Sequence, residues 1–147
     1  MKSDILVQVK IESDYKEMFN RTELTSFARK VLNELQIKAS EISFNFVDNP
    51  HMQELNYQYR GMDKVTDVLS FTSNEVNPEN GFLILGDVVI SVPVALSQAK
   101  EMHNPFIREI HLLMIHGILH LLGYDHEEEN EKMKMFSKQQ HLMTLVN

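Results

Sequence analysis

Cysteine is absent from this 147-residue chain. That excludes disulfides and thiolate zinc sites, and leaves His, Asp and Glu as the strong metal ligands. Long apolar runs are missing as well, and no stretch approaches the ~20 residues that a membrane-spanning helix requires. The opening residues, MKSDILVQVKIESD, lack the apolar core and small-residue cleavage site of a secretory signal. Together these absences predict a cytoplasmic protein with no membrane role. Positive charge is scarce too. Fourteen Lys and Arg against twenty-one Asp and Glu give a net charge of −7, which argues against broad electrostatic capture of nucleic acid and gives no reason to expect DNA binding. Half of the basic residues fall within positions 1–38, a mild asymmetry that a solvated surface explains as well as a binding patch does.

What is present reads as one ordinary folded domain over residues 1–147. Apolar residues make up 43% and charged residues 24%, close to the globular average, and a chain of this length buries about two-thirds of its unfolded surface. ILVQVKI (5–11) and EISFNFVD (41–48) alternate as strands do. Residues 21–35 place Leu24, Phe27, Ala28, Val31, Leu32 and Leu35 at helical spacing. Asn49-Pro50 opens a short helix to about Tyr59. Strands follow at 66–71 and 82–91, separated by the turn-rich TSNEVNPENG, and Gly86 marks a bulge or a close backbone approach. Pro93 opens a helix to about Met102. Asn104-Pro105 supplies a cap and first position for a longer helix to Leu122, stopped by Gly123. A last helix, 127–145, opens on acidic residues that suit its dipole. No repeats or linkers break this order. Strands come early and helices close the chain, so the expected fold class is α+β, a small mixed sheet packed with helices.

The densest chemistry lies in HGILHLLGYDH, residues 116–126. His116 and His120 are four apart, about 40° around a helix and one turn up, so both imidazoles can reach one ion. Gly123 ends the helix and lets His126 return as a third ligand. A single His pair at this spacing is better read as ordinary hydrogen-bonding residues. Three histidines with a glycine between them point to one zinc ion with its fourth position open to water. His111 lies about 140° around the helix from His116 and points away, while His51, His103 and His141 have no spaced partner. The same pattern belongs to metzincin zinc proteases, which carry a glutamate base after the first histidine. Here that position is Gly117, so the peptidase reading loses its proton acceptor. Asp125 beside His126 reads equally well as an orienting or proton-handling group and as a turn former. The methionines at 133, 135 and 143 read as fillers of core gaps rather than as a Met-turn.

The eleven-residue block closely resembles the signature of the YbeY family of bacterial endoribonucleases. The likeness extends upstream to N-x-x-Y-R-x-x-D-x-x-T-D-V-L-S-F, matched by Asn56, Tyr59, Arg60, Asp63, Thr66, Asp67, Val68, Leu69, Ser70 and Phe71, and to LGDVVIS at 85–91. Thr72 departs from the proline that many members carry, a change expected to alter only a loop. The resemblance implies a small α+β metalloprotein whose one zinc is held by His116, His120 and His126 on and after a helix near the C-terminus. It also implies a single-strand-specific endoribonuclease acting in ribosomal RNA processing, at the 3′ end of the small-subunit 16S rRNA, and in ribosome quality control. Partners would be rRNA and the small ribosomal subunit or its assembly factors. Arg60 matches the family arginine regarded as catalytic, and with His116 it forms the expected catalytic set. A guanidinium facing the zinc suits a phosphate and its extra charge in the transition state. Because most of the chain is acidic, RNA binding should lean on a local basic groove of Arg60, Lys64 and the N-terminal helix. The rival reading is a ribosome-associated assembly factor with a mainly structural zinc, which closure of the fourth position by a protein ligand such as Asp125 would favour.

Overall fold

The computed structural model describes residues 4–124 and 128–145. Ten elements follow in order: β1 (Ile5–Ile11), a 3-10 turn (Ser13–Met18), α1 (Arg21–Glu34), β2 (Ser40–Val47), α2 (Asn49–Arg60), β3 (Val68–Val76), β4 (Leu83–Ser91), α3 (Val92–Glu101), α4 (Phe106–Leu121) and α5 (Glu129–Met143). The four strands form one sheet in the order β1-β2-β4-β3. β1 with β2 and β2 with β4 are parallel, and β3 returns antiparallel along β4. The expected α+β class with a small mixed sheet is therefore the observed one.

Alternation along the strands sends side chains to two faces. Phe44, Phe46, Val88 and Ile90 join the buried faces of α1 and α4 in the main core. Val47, Leu69 and Val89 point the other way, where Met52 of α2 covers them. Gly117 allows α4 to sit close on the sheet: a Cβ there would lie 2.4 Å from Cγ1 of Val88. Gly86 fulfils its expected role as a close approach inside an irregular pairing. Its φ is +142°, and a Cβ would lie 2.0 Å from the carbonyl oxygen of Phe71.

Several expectations need correction. The turn-rich run after Phe71 is not a loop at its start, because β3 continues to Val76 through a register shift between Thr72 and Glu75. Asn74 adopts a positive φ of 58° within that shift. Thr72 thus lies inside a strand opposite Gly86. Pro105 is the N-cap of α4 rather than its first residue, and no side chain caps that end. The arginines of α1 do not join a groove. Arg21 donates to the carbonyl oxygen of Val9 and Arg29 to that of Ile5. They satisfy the open edge of β1, which deters edge-to-edge pairing, at the far side of the sheet from β3. Met135 and Met143 fill the core as expected, whereas Met133 is exposed.

Helix α3 ends in a Schellman motif, with the amide of Asn104 donating to Ala99 and that of His103 to Lys100. His103 holds the left-handed position at φ 55°, where a side chain is strained. His103→Gly should therefore stabilise the fold by roughly 0.5 kcal/mol after the entropy cost of glycine. A rise in the urea midpoint with an unchanged slope would check this.

Candidate functional site

A cleft of about 690 Å³ opens along the free edge of β3. Val68, Ser70, Phe71 and Thr72 form its floor, His116 and His120 of α4 one wall, and Tyr59 and Arg60 at the end of α2 the other. Between Ile110 and His120 only Leu112, His116 and His120 are half-buried, all at intervals of four, while their neighbours are buried. His116 and His120 of this stripe line the cleft, Leu112 packs against the main core, and the rest of the helix is buried. Ser70 ties the floor to this wall, its hydroxyl donating to the carbonyl oxygen of Gly117 over 3.3 Å.

The two imidazoles converge. Nε2 of His116 and Nε2 of His120 lie 3.1 Å apart. Two nitrogens bound at ~2.0–2.1 Å to one tetrahedral zinc would be about 3.3 Å apart, so this spacing fits two ligands of a common ion. Nδ1 of His116 lies 3.5 Å from Oε1 of Gln139 on α5. Donation from Nδ1–H to that oxygen places the lone pair on Nε2, the atom facing its partner. Sequence reasoning missed Gln139, because no local spacing relates α5 to α4. Among the described residues no group of three His, Cys, Asp or Glu could hold a metal. The third expected ligand, His126, lies outside the described residues, as does Asp125.

Position 117 faces Val88 and the sheet. The place where a metzincin carries its base is thus turned into the core, and no side chain of any kind fits there. The peptidase reading fails on geometry as well as on residue type.

The upstream block divides into two duties. Asn56, buried at the end of α2, donates from Nδ2 to the carbonyl oxygen of Lys64. Gln53 holds Asp63 across the same loop at 2.9 Å. Asp67 accepts from its neighbour's amide at Val68 and from Gln98 of α3, pinning the start of β3. These residues fix the path between Arg60 and the strand. Gly61 closes α2 at φ 68°, its amide donating to Tyr57, a left-handed cap that leaves Arg60 as the last helical residue. Arg60 is exposed on the cleft and forms no ion pair with any described residue. Lys64 is exposed but not on the cleft's lining.

Behind the floor, Glu109 sits buried in the first turn of α4. Burial, and then the nearby Asp67, push its carboxyl above 4.5, with Arg108 opposing. The remaining histidines keep away from the cleft. His51 pairs with Glu12 and His141 with Glu34 at the surface. His111 is buried between α4 and α1, its Nε2 2.9 Å from Glu23 and its ring 4.0 Å from that of Phe27. Burial lowers its pKa below 6.5, with the charge and hydrogen bond of Glu23 opposing. A depressed folded pKa means that its contribution to stability is complete above about pH 6.5 and is lost as pH falls through the folded value. His111→Gln should accordingly flatten the fall in unfolding free energy as pH drops below about 6.5. Urea titrations at several pH values would check this.

Comparison with known proteins gives concordant matches. The family model described as Endoribonuclease YbeY matches residues 8–147. Endoribonuclease YbeY of Persephonella marina is 49% identical over 129 residues, covering 84% of each chain. Its namesake in Oceanobacillus iheyensis is 41% identical over 140 residues, covering 90% of this chain and 88% of its own. The solution structure of TM1509 from Thermotoga maritima superposes with a TM-score of 0.67 at 29% identity, covering 94% of this chain and 87% of that one.

Proposed function

This chain belongs to the endoribonuclease YbeY family, and from that premise we propose that it is a zinc-dependent endoribonuclease specific for single-stranded RNA. In this reading residues 1–147 act as one catalytic domain that processes ribosomal RNA, at the 3′ end of 16S rRNA and in ribosome quality control. It works in the cytoplasm with the small ribosomal subunit or its assembly factors. No helix of the described residues is long and apolar enough to cross a membrane, which accords with that location. The observation that carries the reading is the shared cleft: two imidazole nitrogens 3.1 Å apart on one wall and, on the other, a guanidinium that forms no ion pair with any described residue.

His116, His120 and His126 would hold one zinc ion. Bound there, zinc supplies a Lewis acid for a phosphoryl oxygen or a water acidified to near neutral pH. The chain's own groups do the rest. Arg60 can clamp two phosphate oxygens in a bidentate pair and meet the charge that grows on them during cleavage. Gln139 holds His116 in one tautomer through Nδ1. The recessed floor along β3 admits a flexible strand and holds off the stiff backbone of a duplex. A structural zinc would sit closed among protein groups, whereas these histidines open onto a cleft of about 690 Å³. That exposure favours catalysis over the assembly-factor reading.

The test uses the purified full chain with a single-stranded RNA and its duplex. Cleavage is expected for the single strand only, to be lost on chelation and to return when zinc is restored. Cleavage indifferent to chelation would refute the metal's role.

A further inference from the structure

Tyr59 has an exposure that its packing does not explain. It is 61% exposed although it is a large aromatic residue at the end of a helix. Its ring meets that of Phe71 edge to face, with centroids 5.0 Å apart and planes at 60°. Phe71 stands on β3 in the cleft floor, half-buried against the cluster of Val47, Met52, Leu69 and Val89. The edge contact braces the tyrosine ring from one side and leaves a face open. Its hydroxyl forms no hydrogen bond with the described residues, so the ring is not held there for a polar contact.

Tyr59 is the immediate neighbour of Arg60, and both line the cleft that His116 and His120 face. A single strand whose phosphate lies between Arg60 and the histidines must place a flanking base within a few ångströms of that phosphate. Unpaired bases stack on aromatic side chains, and such stacking tolerates any base because each has a π face. A net charge of −7 leaves little phosphate attraction to provide affinity, so a neutral contact has more to contribute here. We propose that Tyr59, braced by Phe71, is a stacking platform for the nucleobase next to the scissile phosphate of single-stranded RNA. The proposal rests on the RNA-cleaving reading of this cleft and adds a base-binding subsite to it.

Stacking needs an unpaired base, so the subsite would itself discriminate against duplex, whose bases are already stacked. It would give little preference among the four bases.

The experiment compares wild type, Tyr59→Ala and Tyr59→Phe on a single-stranded RNA cut at one site. The same RNA carrying an abasic nucleotide on either side of that site is assayed in parallel. Zinc content and thermal melting are measured for each protein. The expected result is a rise in KM on the order of tenfold to a hundredfold for Tyr59→Ala, carried by KM rather than kcat, with Tyr59→Phe restoring the lower value. An abasic nucleotide on one side should impose a similar rise on wild type and add almost nothing to that of Tyr59→Ala. The proposal is overturned if Tyr59→Ala keeps the wild-type KM, or if its penalty is equally large on both abasic RNAs. Failure of wild type to cut any RNA would instead remove the underlying reading, so the two failures are distinguishable.

Discussion

Arg60→Glu is expected to keep its fold and its zinc and to lose RNA cleavage by about 10²–10³-fold or more, the cost of removing one group aimed at transition-state charge. The structure gives reasons for both halves of that result. Arg60 is exposed at the C-terminal end of α2 and pairs with no described residue, so its replacement breaks no ion pair and leaves no buried group unsatisfied. A carboxylate near a C-terminal dipole costs only a few tenths of a kcal/mol to about 1 kcal/mol. The same carboxylate in the cleft repels a phosphate, so reversal goes further than neutralisation. Arg60→Lys separates charge from geometry: it keeps the charge but cannot form the planar bidentate pair, and should retain only part of the activity. Circular dichroism, zinc analysis and single-turnover rates on a single-stranded RNA would be measured together.

Substitution at Gly117 carries the largest expected effect on stability, and for Gly117→Ala the sign is the informative part. In an exposed helix, glycine to alanine stabilises by up to about 1 kcal/mol. Here the new Cβ would lie 2.4 and 2.8 Å from the two γ-methyls of Val88. Val88 is fully buried in β4, and a β-branched side chain in a packed sheet has no free rotamer to yield into. Helix α4 must then lift off the sheet, at a cost of roughly 2 kcal/mol or ~6 °C in Tm. Because His116 and His120 ride on that helix, zinc affinity should fall as well. Gly117→Glu, which would install the proton acceptor of a metzincin, should unfold the domain rather than create a peptidase. Thermal melting of Gly117→Ala is the check, and any stabilisation would mean that α4 does not pack on Val88 as described.

The fold was readable wherever burial has a simple period. ILVQVKI, the α1 stripe from Leu24 to Leu32 and the alternation of Ile42, Phe44 and Phe46 each mark their element through one buried face. Reading failed where distant pairing overrides local signals. The residues after Phe71 look like turn formers, yet β4 pairs with them as far as Val76 because Asn74 takes the left-handed turn inside the bulge. The 3-10 turn at Ser13–Met18 has no buried residue to announce it. It is held instead by Tyr15, whose hydroxyl donates to Asp48 thirty-three residues away. That contact follows burial in pushing the phenol up to about 12.

The site divides in the same way. The convergence of His116 and His120 is local helix geometry and was available from spacing alone. Arg60 lies 56 positions before His116, and no periodicity connects them. Only the resemblance singled it out. In the structure β3 returns antiparallel beside β4, and α4 packs across both, which brings α2's last turn and the histidines onto one cleft. Gly117 was read as a missing base. Its positive reason, contact with Val88, needed the packing.

In the proposed function the histidines hold a metal that RNA cleavage requires. The most direct test is zinc analysis and RNA cleavage, side by side, on wild type and His120→Ala purified identically to exclude contaminating ribonucleases. One zinc per wild-type chain with cleavage of single-stranded RNA is expected, and loss of both in the variant. His120→Ala that cuts the same RNA at the wild-type rate without zinc would contradict it.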